Sequence, residues 1–217
     1  MPVRSFLFAR TIGSLGAVVA VLLTLGPQAA QGQLWLQTSR VVTPVEQGPI
    51  RTFLDSLVSV VERTGREVRR APDADSTMTV TALRNQLIDE ERIGINGANH
   101  AFIDYRFSIG SGGQFRQQIS KIHFVFRPGP GQSDISVLYL DARQAWVNSF
   151  LRETGIPLST NEAAFIPFRR HLDFAQVARQ EETRVVEIGG ETIREGFQEE
   201  KEGLIRKVER LTYESFV

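Results

Sequence analysis

The sequence predicts an α+β protein: a small antiparallel sheet, a three-stranded meander plus one or two short strands, packed by helices from both ends of the chain. Two observations carry that prediction. Between Ala101 and Leu140, three runs either alternate apolar with polar residues or are apolar on both faces, which is the spacing of strands. Before and after them, apolar residues recur at three- and four-residue steps, as in Phe53, Leu54, Leu57 and Val61 or Leu204, Ile205, Val208 and Leu211. That is the spacing of helices.

The first 32 residues stand apart. Arg4 and Arg10 give a positive start, no acidic residue precedes Glu46, and Ile12 to Leu25 is an uncharged apolar run of 14 residues. Ala30 and Gly32 then occupy the small-residue positions that a signal peptidase reads. This is the pattern of a signal peptide with cleavage near Gly32–Gln33. The run is shorter than the ~20 apolar residues that a membrane-spanning helix needs. The expectation is an exported protein, periplasmic or extracellular, with no stable membrane span after cleavage; an uncleaved anchor is the alternative. Residues 1–32 are read as the signal, 33–48 as an extended N-terminal arm and 49–217 as a single α+β domain.

The 185 residues from Gln33 onward carry 23 of the 25 basic residues and all 25 acidic ones. That length supports one domain with a full core. A near-zero balance argues against nucleic acid and anionic membranes as partners. Cysteine is absent, which leaves stability to packing and excludes thiolate zinc sites, iron–sulfur clusters and cysteine nucleophiles. Arginine makes up 22 of the basic residues; it favours planar, bidentate contacts, although a GC-rich genome produces the same bias.

In order along the chain, Gln33 to Gln47 lacks helical spacing and contains Pro44, so it reads as an extended arm or edge strand. Pro49 suits a first helical turn, and Gly65 stops the helix expected over 49–64. Arg66 to Asp75 is polar, contains Pro72 and reads as a loop. A helix over Thr79 to Arg92 turns Val80, Leu83, Leu87 and Ile88 inward and ends at Gly94; its Thr-rich start also fits a short strand. Strands follow at 101–109, 120–127 and 134–140, joined by the turn-rich links GSGGQFRQQ and PGPGQSD. Asp141 and Gln144 have capping-box spacing before a helix ended by Gly155, with Ala145, Trp146, Ser149 and Phe150 on its face. Ser159 and Glu162 repeat that spacing before a segment that Pro167 divides. Phe168, Leu172 and Ala175 continue a helical stripe to about Arg179. Thr183 to Ile188 is a short strand, Gly189-Gly190 a turn, and a helix closes the chain over 194–213, with Phe197 inward and Glu202 and Arg206 paired on its wet side.

Two short motifs invite functional readings. Gly112-Gly113-Gln114 is similar to the tripeptide that peptide-release factors present to the ribosome, where the glutamine positions a water. The likeness stops at those three residues, and a turn between strands already calls for glycine's access to positive φ. The C-terminal Glu-Ser-Phe-Val resembles the ligands of PDZ domains, which take a terminal carboxylate and an apolar last side chain.

The chemistry-bearing residues gather on one face of the predicted hairpin: His100, Asp104, Arg106, Lys121 and His123. If Phe107 pairs near Ser120, Asp104 lies opposite His123 and Arg106 opposite Lys121; a register shifted by two residues sets Asp104 against Lys121 instead. Asp104 and His123 are the candidate catalytic pair, since a carboxylate can orient an imidazole. His100, Arg106 and Lys121 are candidate binding residues. A solvated face held by cross-strand ion pairs explains the same pattern. Phe102 and Val125 on that face suggest a covering arm or a partner. The three histidines are isolated, so no metal site is expected, no cofactor is implied, and no Gly-x-Ser-x-Gly elbow occurs. The function expected is a non-catalytic exported binding or envelope-assembly protein, with an envelope protein or a small apolar ligand as partner. The alternative is a periplasmic hydrolase or isomerase working through Asp104 and His123.

Overall fold

The computed structural model describes residues 35–46, 48–110, 113–129, 131–158, 161–193 and 198–214. Its centre is a six-stranded antiparallel sheet with the order β10-β9-β1-β4-β5-β6. The strands are β1 (Trp35–Pro44), β4 (His100–Ile109), β5 (Phe115–Phe126), β6 (Ile135–Asp141), β9 (Arg184–Ile188) and β10 (Glu191–Thr192). The helices are α1 (Pro49–Thr64), α2 (Val80–Glu91), α3 (Ala145–Glu153), α4 (Phe168–His171), α5 (Phe174–Ala178) and α6 (Gln198–Glu214). The predicted meander β4-β5-β6 is present, and the sheet is larger than expected.

The difference comes from the stretch read as an arm. β1 lies inside the sheet, paired along its whole length with β4 on one side and over Ser39–Val42 with β9 on the other. Its inward residues are Ser39, Val41 and Thr43, all at most 2% exposed. Two of the three are hydroxyl residues, so the apolar alternation that marks a core strand is missing. Thr43 and Thr183 satisfy one another with a 2.8 Å hydroxyl hydrogen bond, as burial of a polar group requires.

Helices cover one sheet face. Ala101, Ile103, Tyr105 and Phe107 of β4 project into the core fully buried, and α1 lays Phe53 among Phe124, Phe150 and Phe168 at centroid distances of 5.3–6.1 Å. Tyr105 and Phe107 each meet Phe174 edge-on, a favoured aromatic geometry. The Tyr105 hydroxyl, buried, donates to the Leu172 carbonyl at 2.9 Å. Aromatic rings thus make up much of the packing between the layers.

Other elements depart from the expectation in instructive ways. Gly155 to Pro167 forms a hairpin, β7 (Gly155–Leu158) with β8 (Asn161–Pro167), and not a capped helix; Ser159 lies outside the described residues. Gly155 is required there because a Cβ on it would lie 1.9 Å from the Ile166 carbonyl oxygen. On α3 the buried residues are Val147, Phe150 and Leu151, with Ala145 exposed. Asp141 does not cap α3: its carboxylate is held by Arg143. Ile88 is 45% exposed. α2 is capped at its start by the Thr79 hydroxyl and ends on Arg92 at φ +61°, ahead of Gly94. The stripe from 168 divides into α4 and α5. Leu204, Ile205 and Val208 of α6 are buried, and Glu202–Arg206 pair at 3.7 Å. Phe197 and the C-terminal Ser215-Phe216-Val217 lie outside the described residues.

The polar segment after α1 wraps the free edge of β6. A two-stranded ribbon of β2 (Glu67–Val68) and β3 (Met78–Thr79) brackets it, and the Tyr139 amide donates to the Arg69 carbonyl at 2.8 Å. Arg70 bridges Glu90 and Glu91 of α2 and donates to the Ser136 carbonyl at 3.1 Å. These contacts carry Pro72 onto the sheet face opposite the helices.

Of the glycine-rich link between β4 and β5, Ser111 and Gly112 lie outside the described residues. Gly113 has φ +75° and its amide donates to the Gly110 carbonyl at 2.9 Å. A positive φ at a hairpin turn is the role that glycine fills most readily.

Candidate functional site

The face of the sheet turned away from the helices carries one continuous row of alternating charge. In register across five strands stand Glu187 of β9, Arg40 of β1, Asp104 of β4, Lys121 of β5 and Asp141 of β6. Antiparallel pairing puts directly opposite side chains within reach of one another, and the row uses that geometry. Arg40 donates to both Asp104 oxygens at 2.6 and 3.0 Å and lies 3.3 Å from Glu187. Asp141 accepts from the Arg143 amide and guanidinium. Lys121 falls between the two carboxylates that already hold arginines.

A β-bulge sets this register. Pairing follows one frame from His100 to Asp104 and slips by one residue from Tyr105 onward, with Ser120 as the extra residue of β5. Its hydroxyl donates to the Asp104 carbonyl at 3.0 Å. The bulge keeps Ile119 and Ile122 inward while Lys121 and His123 face outward.

The neighbouring row is aromatic: Phe102, His123 and Tyr139 lie side by side on β4, β5 and β6. The His123 ring stacks on Phe102 and meets Tyr139 edge-on, both at 6.2 Å between centroids. Arg127 lies over the Phe102 ring at 5.3 Å, within cation–π range. Together Arg40, Asp104, Lys121, Phe102, His123 and Tyr139, with Pro72 from the wrapping loop, line a recess of about 200 Å³. A larger recess of about 600 Å³ lies between α6 and the β9–β10 edge, lined by polar residues that include Glu191, Glu200 and Lys207.

Burial, reinforced by the positive charge of Arg40, holds the His123 imidazole below its ordinary pKa. The ring is therefore neutral at pH 7, with Nε2 3.1 Å from the Ser136 hydroxyl. Burial, with the charge of Asp141 added, raises the Tyr139 phenol, which keeps it a neutral donor. Hydrogen bonds from Arg143 lower Asp141.

The sequence-predicted residues divide accordingly. The recess brings together Asp104, Lys121 and His123. It does not join Asp104 to His123 as an acid/base pair: Asp104 faces Lys121 and is bound to Arg40, whereas His123 faces Phe102 and hydrogen-bonds Ser136. His100 and Arg106 lie outside it. His100 sits opposite Val125 with Nδ1 3.0 Å from Asn99 Oδ1, and burial lowers its pKa. Arg106 faces Gln118 rather than Lys121. Arg40, Tyr139 and Pro72 escape the sequence reading. Arg40 becomes legible once Gln37–Pro44 is read as a strand, since it then shares a face with Thr38 and Val42; nothing in the sequence marks Pro72. Among the described residues no group of three or more His, Asp or Glu is placed to hold a metal ion, and no helix is long and apolar enough to cross a membrane.

Comparison with protein-family models, with curated proteins and with solved structures finds no match to this chain.

Proposed function

We propose that the protein is an exported, non-catalytic binding protein that recognises its ligand or envelope partner on the polar face of the sheet, at the recess around His123. What carries the reading is the convergence of three aromatic side chains and a cation on one small concavity, on a rigid sheet held by the Arg40–Asp104 pair. A pocket with apolar walls and a few convergent polar groups is the usual form of a ligand site. Export rests on the N-terminal pattern of charge, apolar run and small residues. The hydrolase or isomerase reading has less support. The carboxylate that would orient His123 is committed to Arg40, and a general base must lie within hydrogen-bond reach of its partner.

The test is a photo-activatable phenylalanine analogue placed at Phe102 and, as a control, at the exposed Asp89 of α2, in cells of the source organism. The binding reading predicts a discrete adduct from position 102 and none from position 89. Equal labelling at both positions, or none at Phe102, contradicts it.

A further inference from the structure

The chemistry of the recess narrows its occupant. Each carboxylate flanking Lys121 in register is already held by a guanidinium: Asp104 by Arg40, and Asp141 by Arg143. Lys121 makes no ion pair within 4.0 Å among the described residues, although its charge helps to lower the Asp141 pKa. Arg40, the other lining cation, is held by Asp104 and Glu187, whereas the Lys121 ammonium offers three donors to an anion. Phe102, His123 and Tyr139, in contact with one another, line the space beside it, and Pro72 lines it too.

The size of the recess sets a further bound. At about 200 Å³ it is smaller than the ~300 Å³ at which pockets for drug-sized ligands begin. A single ring with one acid group is within that bound. Asp104 lines the same space, so a second negative charge on the ligand is disfavoured. Like charges at close range repel, most strongly where water is partly excluded.

We propose that the recess binds a small aromatic monocarboxylate, its ring packed among Phe102, His123 and Tyr139 and its carboxylate on the Lys121 ammonium. This rests on the binding reading above and names the ligand class of that site. The neutral state of His123 supports it, because an uncharged imidazole joins Phe102 and Tyr139 as part of a ring wall and adds no second cation.

The experiment titrates the full chain with benzoate, benzamide, acetate and inorganic phosphate, following the backbone amides of Phe102, Lys121, His123 and Tyr139 by NMR. Benzoate is expected to shift all four and to bind at least tenfold more tightly than the uncharged benzamide, acetate or phosphate. Raising the salt should weaken benzoate more than benzamide, since the charge contact is partly exposed. Lys121→Met, a solvent-side change that leaves the core untouched, should lower benzoate affinity at least tenfold and leave benzamide affinity unchanged. Equal binding of benzoate and benzamide, acetate binding as tightly as benzoate, or an indifferent Lys121→Met variant would overturn the proposal. So would a peptide ending in free phenylalanine that outcompetes benzoate, since it would place a partner's C-terminus in the recess. If all four probes fail while Phe102 still cross-links, the ligand class is wrong and the binding face stands. If both fail, the face itself is wrong.

Discussion

Arg40 is the residue on which the polar face depends. It neutralises Asp104, whose side chain is 17% exposed, and approaches Glu187. Replacing it with methionine leaves the half-buried Asp104 without its guanidinium. Because Arg40 is itself 41% exposed, solvent screens much of the loss. Arg40→Met should lower stability by about 1–2 kcal/mol, and Asp104→Asn in that background should cost less than in the wild type. A double-mutant cycle on denaturant unfolding reads the coupling; strict additivity would show that the pair contributes nothing. The histidines give a pH dependence of definite sign. His100, His123 and His171 all have pKa values lowered, chiefly by burial, so the unfolded chain binds their protons first. Their contribution is fully present above the unfolded value of about 6.5 and is lost as pH falls below it. Stability should thus be flat near pH 7 and decline toward pH 5, with a shallower slope in His123→Gln. Asp173 acts in the opposite sense at lower pH. Burial raises its pKa, so its contribution is present below about 4 and fades as pH rises through the folded value. An unchanged slope in His123→Gln would show that the ring is not desolvated in the fold.

At the scale of elements, the sequence is most legible where an apolar period is long and uninterrupted. α1 shows its face in Phe53, Leu54, Leu57 and Val61, and β4 alternates cleanly through Ala101, Ile103, Tyr105 and Phe107. Legibility fails where burial is polar or where glycine and proline act through tertiary contacts. β1 hides because its inward residues include Ser39 and Thr43, and the partner of the Thr43 hydroxyl, Thr183, lies 140 residues later. The β7–β8 hairpin hides because Ser159 and Glu162 imitate a helix start. Only the close approach of Gly155 to Ile166 shows why the chain pairs there instead. Gly155→Ala tests that account. With the new methyl 1.9 Å from a backbone oxygen, the hairpin has to shift, at a cost on the order of 3 kcal/mol. Thermal unfolding measures it, and a loss under ~0.5 kcal/mol would mean that the approach is looser than described. The bulge at Ser120 was equally hidden. Sequence spacing offered two ideal registers for Asp104, and the structure takes the one opposite Lys121, then slips by a residue.

At the scale of the whole molecule, the helices and the sheet bury one face in a packed aromatic core and leave the other as a patterned surface of charge and rings. The sequence places Phe102, Asp104, Lys121 and His123 on one face, and all four line the recess. It misses the flanking strand and loop, because each joins the site through pairing with distant segments. The sheet offers little to edge-wise association: β10 is only two residues long and β6 is partly paired by Arg69. Short or covered edges of this kind are how sheets avoid pairing with other chains. The face exists only because Trp35–Pro44 is an interior strand that carries Arg40 to Asp104, and amide hydrogen exchange on the full chain tests this directly. The account predicts that the Thr38–Thr43 amides exchange as slowly as those of β4, rising with global stability. Exchange of those amides at the rate of an unstructured chain, while β4 stays protected, would contradict it and return the segment to a free arm.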